Sequence, residues 1–319
     1  MEVSLAKRIM ERQGYRFVGR HSVVKICHYT KNSINGKHSC YKNKFYGIQS
    51  HKCAQMSPQT FCSNTCDFCW RDIATSDSIK MNNGIDDPYS IINNTIDEQI
   101  RLLNGYGGNP NVDANKYAES KKIKHFAISA IGEPTLYPKL GLLIRMLHER
   151  KITSFLVTNG QFPEAIEKLI KDNNLPTQIY VSLDAPTREI YLNIDHPITT
   201  DYWERFLRTL EIICTIRNKT RTVLRITAVR NLNMCNEEDY AELIKKANPM
   251  FLEIKGYSWI GESRNKLNKD NIPNFIEIKE FSLRIANILR WKIVDEVEES
   301  RVCLLMQNDS KNRTIRIED

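Results

Sequence analysis

The sequence lacks any long apolar run. No stretch approaches the roughly 18 unbroken apolar residues that mark a membrane-spanning helix. The first 20 residues hold five basic side chains and no apolar segment of the kind found in secretion signals. Low-complexity segments are also missing, and 41% hydrophobic with 26% charged residues excludes disordered and collagen-like classes. We therefore expect a cytoplasmic globular protein without a membrane segment.

Acidic residues are scarce at the N-terminus. The first 60 residues contain eleven Lys or Arg but only Glu2 and Glu11. Their local surplus of +9 accounts for the whole net charge of +8, so the rest of the chain is almost neutral. Such a block attracts polyanions, and nucleic acid is the first candidate. The alternative is a solvated basic arm without a partner.

The nine cysteines are also unevenly distributed, since six precede residue 70. An odd number in a chain without an export signal indicates thiols for metal binding or catalysis, not a disulfide framework. The other three, Cys214, Cys235 and Cys303, are isolated from one another. We expect these three to be buried structural thiols.

One cysteine group has the spacing C-x3-C-x2-C, formed by Cys62, Cys66 and Cys69. Structural zinc sites usually use paired C-x2-C knuckles and four ligands. Three closely spaced thiolates can instead hold a [4Fe–4S] cluster and leave one iron open. The neighbouring Phe68 and Trp70 suit an apolar shell around a cluster, although they suit a protein core equally well. The spacing favours the cluster over zinc.

The second group, Cys27, Cys40 and Cys53, is spaced at 13-residue intervals. Three thiolates could hold a second [4Fe–4S] cluster. A zinc site completed by a nearby histidine, or three unrelated thiols, are the alternatives. The histidines in this region are His21, His28, His38 and His51.

Downstream, short apolar runs that end in turn signals alternate with amphipathic helical patterns. The runs span residues 125–131, 154–158, 179–183, 221–229 and 251–254, which is typical of buried parallel strands. The helical patterns span residues 86–105, 140–150, 163–172, 201–217, 237–248 and 279–290. This βα repetition predicts an α/β fold whose functional groups lie at the carboxyl ends of the strands.

These motifs together resemble the radical S-adenosylmethionine (SAM) superfamily, which combines a C-x3-C-x2-C motif with a Gly-Glu-Pro segment after the next strand. Within it, the sequence resembles the archaeal-type tRNA 4-demethylwyosine synthases of wybutosine biosynthesis. The resemblance covers roughly residues 20 to 300. It is carried by Cys53, Cys62, Cys66, Cys69, Trp70 and Arg71, and by residues 44–51, 129–135, 156–160, 182–185 and 253–257.

The resemblance implies a partial (β/α)6 radical-SAM barrel with a cysteine-rich basic extension before it. We expect a basic segment at residues 1–55, the barrel at 56–300 and a C-terminal strand or tail at 301–319. Eukaryotic relatives carry a flavodoxin-like domain for which this chain has no room. The expected electron donor is therefore a separate protein such as ferredoxin or flavodoxin, and a monomer is the default expectation.

The resemblance also implies a set of SAM contacts at the strand ends. They are Gly132, Glu133, Pro134, Asn159, Ser182, Asp184 and Arg225. Glu133 would accept from the SAM ammonium, with an N-capping role as its alternative. Arg225 would meet the SAM carboxylate, with a structural ion pair as its alternative. The other polar residues could equally be plain turn residues.

The implied reaction joins pyruvate to N1-methylguanosine on the 3′ side of the anticodon of tRNA-Phe. A 5′-deoxyadenosyl radical would take a hydrogen from the base's methyl group, and the resulting carbon radical would add to the pyruvate carbonyl carbon. Loss of the pyruvate carboxylate carbon and ring closure would give 4-demethylwyosine. The base should be splayed out of the RNA so that it can meet the radical.

The resemblance implies that Cys27, Cys40 and Cys53 hold a second [4Fe–4S] cluster. Pyruvate needs an activator, which could be the open iron of this cluster or a lysine Schiff base. Lys42 and Lys44 lie close to Cys40 in sequence, and Lys42 is the first candidate for the Schiff base. Lys255, at a strand end, is the next candidate. Phosphate contacts or a solvated surface are the alternatives for each lysine. Two rival functions stay open. One is another two-cluster radical SAM enzyme that acts on peptide or RNA, and the other is a zinc-stabilised RNA-binding module without catalysis.

Overall fold

The computed structural model describes residues 2–81, 84–310 and 313–315. Part of the predicted C-terminal tail, residues 311–312 and 316–319, therefore lies outside the described residues. No helix in the described part is long and apolar enough to cross a membrane.

A single mixed sheet runs through the described residues. Its strands, in chain order, are β1 (Arg16–Phe17), β2 (Val23–Lys25), β3 (Cys53–Ser57), β4 (His125–Ile128), β5 (Thr153–Thr158), β6 (Gln178–Ser182), β7 (Arg221–Ala228), β8 (Phe251–Gly256), β9 (Lys292–Val297) and β10 (Val302–Met306). The spatial order is β1-β2-β3-β4-β5-β6-β7-β8-β10-β9. Strands β3 to β8 are parallel neighbours, while β1, β2, β9 and β10 pair antiparallel at the two ends.

Helices connect and cover these strands. They are α1 (Val3–Arg12), α2 (His28–Ile34), α3 (Tyr41–Tyr46), α4 (Ile73–Asp77), α5 (Pro88–Leu103), α6 (Ala114–Ser120), α7 (Leu140–Glu149), α8 (Pro163–Lys171), α9 (Arg188–Asp195), α10 (Tyr202–Ile216), α11 (Glu237–Ala247) and α12 (Phe275–Leu289). Their apolar faces are buried against the sheet, for example through Leu143 of α7, Phe206 of α10 and Phe281 of α12. Each fully buried side chain of this size contributes about 1.5–3 kcal/mol to folding.

The five predicted strands and six predicted helices are all confirmed as elements. Because the six parallel strands follow one another in chain order, their carboxyl ends lie along one edge of the sheet. Helix α12 begins at Phe275, four residues before the predicted start, since Asn274 and Glu277 form a capping box there. The sheet also recruits the N-terminal segment, because β2 pairs with β3 and β3 itself spans residues 53–57.

Candidate active site

The C-x3-C-x2-C segment lies between β3 and α4, beside the carboxyl ends of the parallel strands. Its three cysteines line a cavity of about 240 Å³. Six of the seven predicted SAM contacts line the same cavity: Gly132, Glu133, Asn159, Ser182, Asp184 and Arg225. Pro134 does not line the cavity, because it is buried as the first residue of a short 3-10 turn at Pro134–Leu136. We call this cavity the SAM cavity.

Gly132 holds the cysteine segment against the end of β4. Its backbone φ is +69°, and a Cβ atom there would lie 2.3 Å from the carbonyl oxygen of Gln59. Only glycine tolerates both constraints. The next residue, Glu133, donates its backbone N–H to the carbonyl of Phe61 at 2.9 Å. Phe61 directly precedes Cys62, so this contact fixes where the cysteine segment begins.

The Glu133 carboxylate joins the ends of β4 and β5. Its Oε1 accepts from the backbone N–H and hydroxyl of Thr135 at 3.0 and 2.6 Å, and from the Thr158 hydroxyl at 2.7 Å. Its Oε2 accepts from the backbone N–H of Asn159 at 2.8 Å. Burial raises the pKa of Glu133, while these four donors act in the opposite direction. Glu133 therefore does cap the short turn that follows it, and its Oε2 can still accept a hydrogen bond from a group in the cavity.

Two polar side chains contact the cysteine sulfurs directly. The Asn159 amide donates to Cys62 Sγ at 3.7 Å and to the Ser63 hydroxyl at 2.9 Å. The Cys66 thiol donates to Asp195 Oδ1 at 3.1 Å, and Asp195 Oδ2 has no partner among the described residues. Asp195 was not predicted, because it ends helix α9 instead of following a strand. The βα repetition alone gives no signal for it.

Arg71 supports the cysteine segment from behind. Its guanidinium is buried and donates to the carbonyl of Asn64 at 2.7 Å and to Asp77 Oδ1 at 2.5 Å. Its positive charge lowers the pKa of Cys62, but burial outweighs this effect and raises that pKa to about 12. The thiol therefore stays protonated until a metal displaces the proton.

A second cavity, of about 260 Å³, is lined by the other three cysteines, Cys27, Cys40 and Cys53. Short segments hold them in place: Cys40 donates its backbone N–H to the Ser50 hydroxyl at 3.0 Å, and Thr30 donates its hydroxyl to the Ser50 carbonyl at 3.0 Å. Burial raises the pKa values of Cys40 and Cys53 to about 12. We call this the auxiliary cavity.

Two of the three candidate lysines line the auxiliary cavity. The ammonium of Lys42 lies 4.1 Å from the ring centroid of Tyr180, and its charge lowers the pKa of each cysteine in the auxiliary cavity. Burial, with Arg225 and Arg301 nearby, lowers the pKa of Lys255 to about 8. Lys44 lines neither cavity. It is exposed, pairs with Asp295 at 2.9 Å and donates to the Glu296 carbonyl at 2.7 Å, because it projects from another side of the short helix α3.

Helix α3 is tied to strand β8 by a buried carboxylate. Tyr41 donates to Glu253 Oε2 at 2.9 Å and Tyr46 donates to Oε1 at 2.7 Å, and all three residues are buried. Lys42 lies on the helix between these two anchors. Glu253 was not predicted as a functional residue because it belongs to an apolar strand. An acidic residue inside such a strand is the signal that indicates a buried polar role.

The two cavities are neighbours, because Trp70, Ser129 and Arg225 line both of them. Arg225 also faces the Tyr180 ring, with 5.8 Å between guanidinium carbon and ring centroid. A group placed beside these three residues would therefore be accessible from both cavities.

The donor sets fit iron–sulfur clusters better than single ions. In the part of the chain that the structure describes, no three His, Cys, Asp or Glu side chains are close enough to hold one metal ion. A cluster distributes its thiolates over separate irons, so three thiols around one cavity match its needs. Of the other cysteines, Cys303 is buried as predicted, but Cys214 is exposed and Cys235 half-buried, since both lie near the ends of outer elements.

Comparison with known proteins agrees with this geometry. Residues 56–244 match the radical SAM superfamily, and residues 246–307 match a family described as wyosine base formation. The SAM-dependent tRNA 4-demethylwyosine synthase of Pyrococcus abyssi is 46% identical over 94% of this chain and 88% of its own length. The Saccharomyces cerevisiae synthase is 40% identical over 85% of this chain, which spans only 34% of that longer protein.

Solved structures show the same relationship. The structure of TYW1 with a lysine–pyruvate adduct bound has a TM-score of 0.86, with 32% identity over 99% of both chains. The crystal structure of archaeal TYW1 has a TM-score of 0.79, with 30% identity over 99% of this chain and all of the other.

Membership of the radical SAM superfamily means that the chain uses SAM and a [4Fe–4S] cluster. The relatives modify tRNA in the wybutosine pathway, so the substrate is a tRNA. The chain belongs to the tRNA 4-demethylwyosine synthase family of radical SAM enzymes.

Proposed function

We propose that this enzyme condenses N1-methylguanosine, 3′ of the anticodon in tRNA-Phe, with pyruvate to form 4-demethylwyosine. One observation carries the proposal: two cysteine-lined cavities share Trp70, Ser129 and Arg225. A radical formed in the SAM cavity and a pyruvate held in the auxiliary cavity would then meet at one substrate base. We further propose that β3 to β8 form the partial (β/α)6 barrel. Residues 56–300 would hold this barrel except for the first residues of β3, which belong to the basic segment 1–55, and the C-terminal strand and tail at 301–319 would follow it.

In the SAM cavity, Cys62, Cys66 and Cys69 would hold the cluster. When bound, the cluster supplies the electron that cleaves SAM to a 5′-deoxyadenosyl radical. Glu133 Oε2 would accept from the SAM ammonium, and Arg225 would pair with its carboxylate. Gly132, Asn159, Ser182 and Asp184 would complete the pocket, while Pro134 would keep the Glu133 turn in place. The Asn159 amide would also donate to the cluster-ligating sulfur of Cys62, which tunes the cluster potential.

In the auxiliary cavity, Cys27, Cys40 and Cys53 would hold a second [4Fe–4S] cluster. Their shared cavity and the nearby positive charge of Lys42 support this assignment, because that charge favours thiolates over thiols.

Lys42 would form the Schiff base with pyruvate. It is the lysine whose charge reaches all three auxiliary cysteines, so its amine lies close to where pyruvate would be activated. A lysine–pyruvate adduct in TYW1, a structural relative, supports a lysine in this role. Lys255 lines the same cavity and, with a pKa of about 8, is still mostly protonated at neutral pH, so its charge would pair with the pyruvate carboxylate. The exposed, ion-paired Lys44 is less suited to the reaction.

The basic N-terminal segment would hold the tRNA. Arg8, Arg12 and Arg16 line a shallow surface depression near α1 together with a single acid, Glu11, and the three guanidinium groups would bind phosphates. We also propose a monomeric enzyme that takes electrons from a separate carrier such as ferredoxin or flavodoxin.

The proposal is tested by incubating the anaerobically purified protein with methylated tRNA-Phe, SAM, reductant and pyruvate. Nucleoside analysis should show 4-demethylwyosine only when all four are present. Release of 5′-deoxyadenosine without any tricyclic nucleoside would favour a different radical SAM reaction.

A further inference from the structure

Beside the auxiliary cavity, three aromatic side chains form a cluster on the surface. His28 and Tyr29 have ring centroids 5.6 Å apart, Tyr29 and His38 are 6.1 Å apart, and the two imidazoles are 6.4 Å apart. Both histidines are exposed, whereas Tyr29 is half-buried and lines the auxiliary cavity. We call these three side chains the aromatic cluster. It extends the wall of the auxiliary cavity outward to the surface.

A buried asparagine fixes the geometry of the two imidazoles. The Asn32 side-chain amide donates to Nε2 of His28 and to Nε2 of His38, both at 3.0 Å. Both N–H groups of this amide are thereby used. The two rings are therefore held in place in the free protein. They need not be ordered when a ligand binds.

In its own segment of the chain, the aromatic cluster has only positively charged neighbours. Lys31 and Lys37 are exposed next to the histidines, and no Asp or Glu occurs between Glu11 and Asp67. An acidic residue approaches on helix α6, which contacts the end of α2, but this residue, Glu119, is paired with His51 and Lys52. Exposed rings combined with lysines are the features that bind unpaired nucleic acid: the rings stack on bases and the lysines contact phosphates. A protein partner would need an apolar or acidic face, and nothing in this cluster selects for one.

We propose that the aromatic cluster stacks on an unpaired nucleobase of the tRNA anticodon loop, next to the base that enters the cavity. The inference rests on the proposed function, in which the methylated guanine leaves the loop. Removing one base from a stacked loop exposes the faces of its neighbours. The three rings are inclined at 53–74° to one another, so one exposed imidazole at the cavity mouth can cover such a face while the others support it. This contact would hold the loop open while the reaction proceeds.

The test measures binding of a fluorescent anticodon stem–loop of tRNA-Phe to the iron-loaded protein. The double variant His28→Ala/His38→Ala should bind about 5- to 100-fold more weakly, the range expected for losing one stacked base. His28→Phe/His38→Phe should recover most of the affinity, because phenylalanine stacks without needing Asn32. Tyr89→Ala, which removes an exposed ring at the N-terminal end of helix α5 and outside the aromatic cluster, is the matched control and should bind like the wild type.

Two further readouts separate stacking from charge. The Ala variants should keep the wild-type salt dependence, whereas Lys31→Gln/Lys37→Gln should reduce the slope of log affinity against log salt by about 1 to 2. A series of stem–loops, each with a single abasic nucleotide at a different loop position, should be compared for binding to the wild type and to the histidine double variant. One member of the series should bind both proteins equally. Its abasic position identifies the stacked base.

Wild-type affinity in the Ala double variant, or no rescue by Phe with normal iron content, would overturn the inference. It would leave the proposed function intact as long as the wild type forms the tricyclic nucleoside. If the wild type neither binds the stem–loop nor forms the product, the proposed function itself fails.

Discussion

The hydroxyl of Tyr46 donates to Glu253 Oε1 at 2.7 Å, in a region where both side chains are fully buried. With the matching bond from Tyr41 at 2.9 Å, this contact joins helix α3 to strand β8 and fixes the helix that carries Lys42. Burial raises the pKa of both tyrosines, so they remain donors at any physiological pH. A carboxylate distant in sequence thus positions the proposed nucleophile.

Removing one of these donors should weaken both the fold and the site. Tyr46→Phe leaves Glu253 Oε1 buried without its donor, and we expect it to cost about 1–3 kcal/mol of unfolding free energy. Urea unfolding of the iron-loaded proteins under anaerobic conditions measures this change. Tyr89→Phe, at an exposed position, is the control and should stay within about 0.5 kcal/mol of wild type. Equal midpoints for Tyr46→Phe and this control would show that the tie does not stabilise the protein.

The two cysteine triads should contribute separately to the iron content. Replacing Cys27, Cys40 and Cys53 by Ala should lower the iron of the reconstituted protein from roughly eight to roughly four per chain. The corresponding change at Cys62, Cys66 and Cys69 should do the same and also abolish cleavage of SAM. Iron and acid-labile sulfide assays measure both. Unchanged iron in the first triple variant would refute the second cluster.

The amide of Asn159 should tune the cluster in the SAM cavity. Asn159→Leu removes the N–H donor to Cys62 Sγ, and a donor to sulfur stabilises the more negative, reduced cluster. We expect the reduction potential to fall, by about 40 mV for each 1 kcal/mol of lost hydrogen bonding. A redox titration followed by electron paramagnetic resonance gives the potential. Ser63→Ala, which spares the contact with sulfur, should shift it less; equal shifts would contradict the assignment.

A buried histidine should make the protein sensitive to acid. Burial lowers the pKa of His125 from 6.5 to about 3, and its Nε2 accepts from the backbone N–H of Gln49 at 3.2 Å. Between pH 6.5 and 3 the unfolded chain binds a proton at this residue that the folded chain does not. Its contribution to stability is therefore lost as the pH falls through that window, by at most about 1.4 kcal/mol per pH unit.

Comparison with His125→Gln isolates this residue from other groups that titrate in acid. The wild type should lose unfolding free energy more steeply than the variant between about pH 6.5 and 4. Gln49 directly precedes Ser50, whose hydroxyl accepts from the backbone N–H of Cys40. Protonation of His125 should therefore loosen the auxiliary cavity before the rest of the fold. If the unfolding free energies of the two proteins fall in parallel with pH, His125 does not cause the acid sensitivity.

The pattern of apolar residues was enough to predict the parallel strands β4 to β8, because apolar runs such as residues 154–158 end in clear turn signals. It could not show β1 and β2, which are two and three residues long and too short for any period. The SAM cavity followed from the strand ends, since parallel strands bring these ends together. Asp195 reaches the SAM cavity from a helix end, whereas Glu253 holds helix α3 beside the auxiliary cavity from within a strand. Only three-dimensional packing shows these two roles.

The lysines show the same limit of sequence reasoning. Lys42 and Lys44 are two positions apart in one short helix, so they project in different directions. In the folded helix, Lys42 lines the auxiliary cavity and Lys44 pairs with Asp295. Nothing in the local sequence distinguishes these two lysines.

In the proposed reaction, pyruvate is activated in the auxiliary cavity by Lys42. The most direct measurement treats the iron-loaded enzyme with pyruvate and cyanoborohydride, followed by peptide mass spectrometry. We expect a reduced pyruvate adduct on Lys42, its loss in Lys42→Arg, and an adduct that still forms on Lys42 in Lys255→Met. An adduct on Lys255 or Lys44 in the wild type, or undiminished trapping in Lys42→Arg, would contradict it.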